Sequence, residues 1–345
     1  MTDGSLERAG IARGLTDAAA SHSRSVDALA ELVRIPSLTG EEGTAQTHLA
    51  GMMSSLDAEV ELVEPDVAQL FQRFPDIAQY PTHWCNDLIL PYDQLPTHEA
   101  LVASGLTDRL NYVNRPNLVA VVRGTGGGRS LILNGHIDTV TIEPAGEWTH
   151  DPVGAAIEGN RMYGRGTSDM KGGVMAAVMA LTYLHEAGIR LPGDVIFQCV
   201  VNEEHSGNGT LDLVRRGYRA DAAVVLEPTD NKVFVSHPGG LYWEVRLPGV
   251  SRSPGARWEG ECHVGVSAIE KLPPVIDALI ALERQFNEAA SGLAEEEGHK
   301  PFSLVIGKVA GGHYETVTAG DVTLRGVAYF GPSVGAVGDV MRRFR

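Results

Sequence analysis

The stretch that decides the fold is residues 131–140, which read LILNGHIDTV. Three aliphatic residues predict a short strand, and Gly135 lets the backbone turn at the end of that strand. His136 and Asp138 follow, and side chains two residues apart in an extended chain point to the same side. An imidazole beside a carboxylate suits a metal ligand and the group that orients it. The alternative is a polar strand end with a structural histidine, and the other motifs of the chain decide between the two.

Length, composition and charge exclude several classes of protein. The chain has 345 residues, which predicts two domains. Hydrophobic residues make up 43% and charged residues 21%, as in ordinary globular proteins. The net charge of −16 argues against a nucleic-acid partner or an anionic membrane, because both require a basic surface. No apolar run is long enough to span a bilayer. We therefore expect a small-molecule partner, no nucleic acid and no membrane.

The cysteines indicate a reducing compartment. Cys85, Cys199 and Cys262 lie far apart and form no CxxC pair. This pattern predicts neither a disulfide scaffold nor a zinc–thiolate site. The first residues, MTDGSLER, lack the apolar segment of a secretory signal. We expect a cytoplasmic protein.

Hydrophobic periodicity predicts alternating helices and strands. Apolar residues at helical spacing predict helices over residues 15–33 and 44–56. Alternation predicts a strand over residues 60–63, and residues 117–122, NLVAVV, also predict a strand. The glycine-rich residues 124–129 predict a hairpin from the second of these strands into the opening stretch.

Acidic residues also lie at the ends of one predicted helix and two predicted strands. The loop GRGTSDMKGG, residues 164–173, contains Asp169 and precedes an apolar helix, whose N-terminal cap Asp169 could also be. Two apolar runs, residues 194–201 and 222–226, are typical of strands covered on both faces. Open α/β sheets place their sites at the carboxyl ends of such strands. The acidic residues at the ends of the two runs are Glu203, Glu204 and Glu227.

Together these side chains predict a divalent metal site. Oxygen and imidazole ligands without thiolate suit zinc, with cobalt or manganese as alternatives. A structural protein with an accidental acidic cluster is disfavoured, because adjacent buried acids are costly without a cation. The predicted set is His136, Asp138, Asp169, Glu203, Glu204 and Glu227.

The order of these motifs resembles a family of di-zinc amidohydrolases and exopeptidases. The family includes acetylornithine deacetylase, succinyl-diaminopimelate desuccinylase, aminoacylase and glutamate carboxypeptidase. The resemblance runs from about Pro36 to the end, and NRPN at residues 114–117 resembles the acetylornithine-deacetylase-like branch. It is strongest in GHID (135–138), GRGTSDMKGG (164–173), NEEHSG (202–207) and EPT (227–229).

The resemblance implies two zinc ions and a set of ligands. His136 and Glu227 would bind the first ion, Asp169 would bridge both ions, and Glu204 would bind the second. Glu203 would be the general base that activates water.

The resemblance also implies a reaction, in which Asp138 would orient the imidazole ligand. Two metal ions that share a water lower its pKa and polarise an amide carbonyl. The implied substrate is an N-acyl amino acid or a small peptide.

The implied architecture is α/β with two domains. Residues 1–230 would form a zinc-exopeptidase-like, three-layer α/β/α catalytic domain with a mixed sheet. Residues 231–345 would form a small α+β domain that acts as a lid and as the interface of a homodimer. The elements predicted in this second part are a strand over 241–247, a helix over 267–286, strands over 303–306 and 322–329, and a helix over 334–344.

The sequence departs from the family pattern in two places. Ser253 stands where the lid usually carries a histidine that holds the substrate carbonyl, and a serine supplies no cationic donor. His263, ten residues later, is the candidate replacement, although it falls in the following loop. The family chain also returns to the catalytic domain with a late histidine, whereas this sequence stops at Arg345.

The second departure leaves the second zinc site incomplete, with Asp169 and Glu204 as its predicted ligands. A truncated chain, a split gene and a degenerate paralogue all remain open. The alternative function is therefore a catalytically impaired or inactive paralogue, or a truncated chain, that acts as a binding or dimerisation protein.

Overall fold

The protein is described here by a computed structural model that divides into two compact units, Met1–Asn231 and Lys232–Arg345. The division of roles predicted for the two parts, catalysis and a lid, stays a prediction. The structure describes residues 22–74, 111–234, 237–253, 265–290 and 300–344, and the single residues 13, 14, 16, 20 and 103.

The first unit alternates helices and strands, as its periodicity predicts. Its described helices are α1 (His22–Val33), α2 (Gly43–Ser54), α3 (Val67–Arg73), α4 (Lys171–Glu186) and α5 (Asn208–Arg216). Its described strands are β1 (Glu59–Val63), β2 (Asn117–Val122), β3 (Leu131–His136), β4 (Ala156–Glu158), β5 (Arg161–Tyr163), β6 (Val195–Val200) and β7 (Ala222–Val225).

Five of these strands form a mixed sheet in the order β1-β2-β6-β3-β7. β3 pairs in parallel with β6 and with β7, whereas β2 pairs antiparallel with β1 and with β6. Leu118 and Phe197 face one side of the sheet and pack in the core that includes residues of α1, α2 and α4. Val119 and Val200 face the other side and pack against Leu213 of α5. The predicted α/β fold, with a mixed sheet between two layers of helices, is confirmed.

The predicted hairpin between β2 and β3 is wrong. β6 lies between these two strands and pairs with both. The glycine-rich connection crosses the start of β6 instead, where the amides of Gly126 and Gly128 donate to the carbonyl of Pro192. A Cβ on Gly128 would lie 2.6 Å from the nitrogen of Gly193, so glycine permits this close approach. The glycines therefore allow two loops to pack together and do not form a hairpin turn.

The predicted burial of β7 is also wrong. All four of its residues are exposed, with Val224 at 47% and Val225 at 58%. β7 pairs with β3 along one edge, and no strand among the described residues pairs with its other edge. A continuous apolar run therefore predicted the strand correctly but not its exposure.

The second unit is a small α+β fold, as predicted. Its antiparallel sheet has the order β8-β10-β9. Alternate residues of β8, such as Trp243 and Val245, point into a core that also contains Phe286 of its long helix. The described elements are β8 (Gly239–Pro248), α6 (Leu272–Ala289), β9 (Phe302–Gly311), β10 (Asp321–Phe330) and α7 (Val337–Phe344). Among the described residues, no helix has both the length and the apolar character needed to cross a bilayer.

The core around β6 gives the first testable prediction. Phe197 lies in this strand and is 0% exposed, so Phe197→Ala should lower the free energy of unfolding by about 3–5 kcal/mol. Phe234 is 54% exposed, and Phe234→Ala should change it by less than about 0.5 kcal/mol. Urea denaturation followed by circular dichroism measures both values. Equal losses in the two variants would contradict the assignment of β6 to the core.

Candidate metal centre

The carboxyl ends of three parallel strands place the predicted side chains at one edge of the sheet. His136 is the last residue of β3, Glu203 and Glu204 follow β6, and Glu227 follows β7. Because parallel strands end at the same edge, these residues converge without being close in sequence. Asp169 lies in the loop just before α4 and joins them there.

Close packing of α4 brings Asp169 to the strand ends. Gly135 continues β3 and does not adopt a positive φ, so the expected turn at this residue is wrong. A Cβ on Gly135 would lie 2.9 Å from Val174 of α4. A Cβ on Gly173 would lie 2.2 Å from the carbonyl oxygen of Leu226. The two glycines therefore let the start of the helix approach the ends of β3 and β7.

His136 lies at the centre of the cluster. Its Nε2 is 3.0 Å from Oδ1 of Asp169, 3.7 Å from Oε2 of Glu203 and 3.8 Å from Oε1 of Glu227. In the described part of the chain, two groups of side chains have potential ligand atoms within 4.8 Å of one another. The groups are His136 with Glu203 and Glu227, and His136 with Asp169 and Glu204. The structure thus brings together all five of these residues.

The electrostatics of the cluster fit a divalent cation. Burial lowers the pKa of His136, but its hydrogen bond to Asp169 and the nearby carboxylates outweigh this effect and raise it to about 9. Burial, together with the charges of neighbouring acids such as Asp169, raises the pKa of Glu204 to about 7. Burial and repulsion by the neighbouring acids both disfavour the charged form of Glu204, and a divalent ion would offset both effects. The donor set of one imidazole and several carboxylates therefore fits zinc, cobalt or manganese.

Asp138 connects the end of β3 to the end of β6. Its backbone carbonyl lies 2.9 Å from Nδ1 of His136, whereas its carboxylate oxygen lies 3.7 Å from that atom. The carboxylate accepts hydrogen bonds from the backbone amides of Glu203 and Glu204, at 3.0 and 3.2 Å, and from the hydroxyl of Thr39 at 2.9 Å. The main chain of Asp138 thus contacts the imidazole, and its side chain holds the turn with the two glutamates. The predicted role of its carboxylate in orienting His136 stays a prediction.

Asp169 does not cap α4. The capping position is Met170, and no side chain caps the helix there. The carboxylate of Asp169 instead contacts His136, and this hydrogen bond holds its pKa below the usual range despite partial burial.

Sequence reasoning missed a buried lysine beside the centre. Lys171 is 1% exposed, and its Nζ donates to the carbonyls of Leu32 and Ile35, at 3.2 and 2.7 Å. These carbonyls lie at the end of α1, so the lysine joins that helix to the start of α4. The usable signal was a lysine at the start of an apolar helix. A lysine in such a place predicts polar partners, because lysine is rarely fully buried without them.

Sequence reasoning also missed a buried ion pair between Glu42 and Arg115. Arg115 belongs to the NRPN motif, which indicates the family resemblance but does not reveal this pair. The signal was a charged residue two positions before a largely apolar strand. The pair contacts Asn202, the residue that precedes the two glutamates.

The predicted substrate-binding residues lie in the second unit. Ser253 is exposed, and His263 lies outside the described residues. Their roles stay predictions.

Comparison with known proteins identifies a matching family model and several relatives of this chain. A family model described as peptidase family M20/M25/M40 matches residues 132–339, more than half of the chain. An N-formyl-4-amino-5-aminomethyl-2-methylpyrimidine deformylase of Halalkalibacterium halodurans is 40% identical over 183 residues, covering 51% of this chain and 42% of the relative. A deformylase of the same name from Bacillus subtilis is 34% identical over 232 residues, covering 64% and 53%. A probable succinyl-diaminopimelate desuccinylase of Staphylococcus aureus is 29% identical over 186 residues, covering 53% and 43%. The chain spans about half the length of the curated relatives it matches.

Solved structures share the fold. Human carnosine dipeptidase 1 superposes with a TM-score of 0.61 at 18% identity, covering 96% of this chain and 74% of that chain. A tripeptidase of Staphylococcus aureus superposes with a TM-score of 0.58 at 19% identity, covering 93% and 68%.

The central position of the imidazole gives the second testable prediction. Because His136 belongs to both ligand groups, His136→Ala should weaken zinc affinity by more than about 100-fold, beyond the loss expected for a residue that only supports a ligand. His150→Ala is the matched control, since His150 contacts Glu158 and belongs to neither group. Titration calorimetry with chelator-treated protein measures both affinities. A folded His136→Ala variant that binds zinc like the unmodified protein would refute the proposed centre.

Proposed function

Because the chain belongs to peptidase family M20/M25/M40, we propose that it is a metal-dependent hydrolase that cleaves the amide bond of an N-acyl amino acid or a small peptide. The observation that carries the proposal is the convergence of one buried imidazole and four carboxylates at one sheet edge. Two of the relatives are named a deformylase and a desuccinylase, and both names denote removal of an acyl group. This supports an acyl-removing reaction.

The proposed centre holds two metal ions, with zinc as the first choice. His136 and Glu227 would hold one ion, Glu204 would hold the other, and Asp169 would bridge them. The two ligand groups support this arrangement. One group places Glu227 beside His136, and the other places Glu204 beside Asp169. When bound, such a metal pair lowers the pKa of water and polarises the substrate carbonyl.

Glu203 is the proposed general base. Its backbone amide is fixed by Asp138, and its side chain remains 44% exposed, so the main chain is held in place and the carboxylate is open to water. Glu203 would take the proton from the attacking water and deliver it to the leaving amine. Distance supports the role without singling it out, since Glu203 and Glu227 lie equally near His136.

The second unit completes the proposal. We assign residues 1–230 to catalysis and residues 231–345 to a lid through which two copies pair. Ser253, or His263 in its place, would contact the substrate carbonyl. A cytoplasmic location fits the three separate cysteines, and a small-molecule substrate fits the net charge of −16, which argues against nucleic acid or an anionic membrane.

One observation favours a second function, a binding or dimerisation protein that has lost catalysis. Ser253 occupies the position at which the family pattern has a histidine, and serine provides a weaker donor to a developing oxyanion. The two functions differ in whether the metal-bound protein turns over substrate.

Substitution of the proposed base gives the third testable prediction. Glu203→Gln should lower kcat about 10²–10⁴-fold on N-acyl amino acids, because it removes proton transfer. The variant should keep its zinc, since Glu203 is not a proposed ligand, whereas Glu204→Gln should lose part of it. Glu147→Gln, at an exposed glutamate of the same unit, is the control and should leave both unchanged. A panel of N-acyl substrates and elemental analysis provide the measurements.

Each outcome of this experiment is decisive. Full activity in a zinc-loaded Glu203→Gln variant would show that the base is wrong. A folded protein that takes up no divalent metal would refute the metal-dependent hydrolase. Zinc binding without turnover of any substrate in the panel would favour the binding protein.

A further inference from the structure

The ion pair between Glu42 and Arg115 has a rigid geometry. Nε of Arg115 lies 2.7 Å from Oε2 of Glu42, and its Nη2 lies 2.7 Å from Oε1. Only 5% of the arginine side chain and 0% of the glutamate side chain are exposed. Two parallel charge-assisted hydrogen bonds fix both the position and the plane of the guanidinium group.

The same guanidinium reaches the turn that carries the two glutamates. Nη2 of Arg115 donates a further hydrogen bond, of 2.8 Å, to Oδ1 of Asn202. Asn202 is 0% exposed and immediately precedes Glu203. Its φ is +62°, in the left-handed region that asparagine tolerates better than most residues. The ion pair therefore contacts the residue at which the chain changes direction after β6.

Asn202 organises the rest of this turn. Its backbone carbonyl accepts hydrogen bonds from the amides of Ser206 and Gly207, at 3.2 and 3.0 Å. Its side-chain amide donates to the hydroxyl of Ser206. On the other side of the turn, the amides of Glu203 and Glu204 donate to Asp138. The backbone of the two glutamates is thus held from two sides, by a carboxylate on one and by Asn202 on the other.

Stability alone is a weak reason for this ion pair. Burying two charges carries a desolvation penalty, and apolar residues of similar volume are often as stabilising. What apolar residues cannot supply is a donor in a fixed orientation. Arg115 also lies with its Cζ 4.7 Å from the ring centroid of Tyr112, a buried side chain that further limits its movement.

We propose that Glu42 and Arg115 are positioning residues that act through Asn202 to hold Glu203 and Glu204 in place for metal binding and proton transfer. The proposal rests on the function proposed above. Glu42 and Arg115 belong to neither of the two ligand groups. Their effect is to narrow the range of positions that the two carboxylates sample.

Two variants cut the contact in different ways. Arg115→Lys keeps the charge but loses the planar group that serves Glu42 and Asn202 together. Asn202→Gly deletes the acceptor oxygen together with the amide that donates to Ser206, removes no charge, and suits the left-handed backbone. The two variants share only the loss of the contact between Arg115 and Asn202.

Arg123→Lys is the control for the loss of a two-bond arginine–glutamate pair, in this case an exposed one. Arg123 follows β2 just as Arg115 precedes it. Its guanidinium binds Glu59 at 2.9 and 2.6 Å and Asp194 at 2.8 Å, so it also forms a two-bond pair with a glutamate. It lies at the other end of the strand and has no contact with the turn.

The first readout is hydrogen–deuterium exchange of the metal-free protein, followed in the peptide 201–207. Arg115→Lys and Asn202→Gly should each raise the exchange rate about tenfold, the effect expected when a hydrogen bond to a charged group is lost. The second readout is zinc affinity, which should fall about 10–100-fold in both variants, as for other residues that support metal ligands. Where turnover is measured, kcat should fall while KM stays unchanged. Arg123→Lys should leave all three quantities unchanged.

The proposal is overturned if folded Arg115→Lys or Asn202→Gly keeps the exchange rate and the zinc affinity of the unmodified protein. It is also overturned if Arg123→Lys has the same effects as these two variants, because faster exchange and weaker zinc binding would then not depend on the contact with Asn202. Should Arg115→Lys fail to fold, Asn202→Gly decides alone. If the unmodified protein binds no zinc, the proposed function fails, and the exchange measurement still tests the positioning of the turn.

Discussion

The site depends on an excess of negative charge around one buried imidazole. Asp169, Glu203 and Glu227 approach a single nitrogen of His136 within 3.8 Å, and His136 is 1% exposed. Close carboxylates repel one another unless a cation neutralises them, and the hydrogen bond to His136 lowers the pKa of Asp169. The imidazole is placed to take this role, because its hydrogen bond to Asp169 and the nearby carboxylates raise the pKa of His136 to about 9 despite its burial. A fold that accepts this arrangement is suited to exchange protons for a divalent ion.

The cationic side chains around the centre are fixed by other partners and leave this excess of charge in place. Arg115 is paired with Glu42, and Lys171 donates to two backbone carbonyls. Arg165 lies over the ring of Trp148 and donates to the carbonyl of Thr141, although its charge still helps to lower the pKa of Asp169. These side chains support the loops around the site without filling the place of a metal ion.

The sequence was sufficient where the signal was local. Apolar runs predicted β3 and β6, and the polar residues directly after them led to His136, Glu203 and Glu204. It was insufficient where the outcome depended on pairing across long separations. The position of β6 between β2 and β3 is set by pairing with residues more than 50 positions away, and a glycine-rich hairpin signal gave the wrong neighbour. The exposure of β7 likewise depends on what packs beside it and not on its own composition.

The same distinction separates the ligands from the residues that hold them. A ligand can be recognised by its type and its place at a strand end, because metal chemistry limits the choice. A supporting residue such as Asn202 is defined by contacts with Arg115 and Ser206, and those contacts exist only after the chain has folded. Asp138 supports ligands on two strand ends, since its main chain contacts His136 and its carboxylate binds the turn after β6. A single residue thereby couples two strand ends, so the geometry of the imidazole and of the two glutamates is set together.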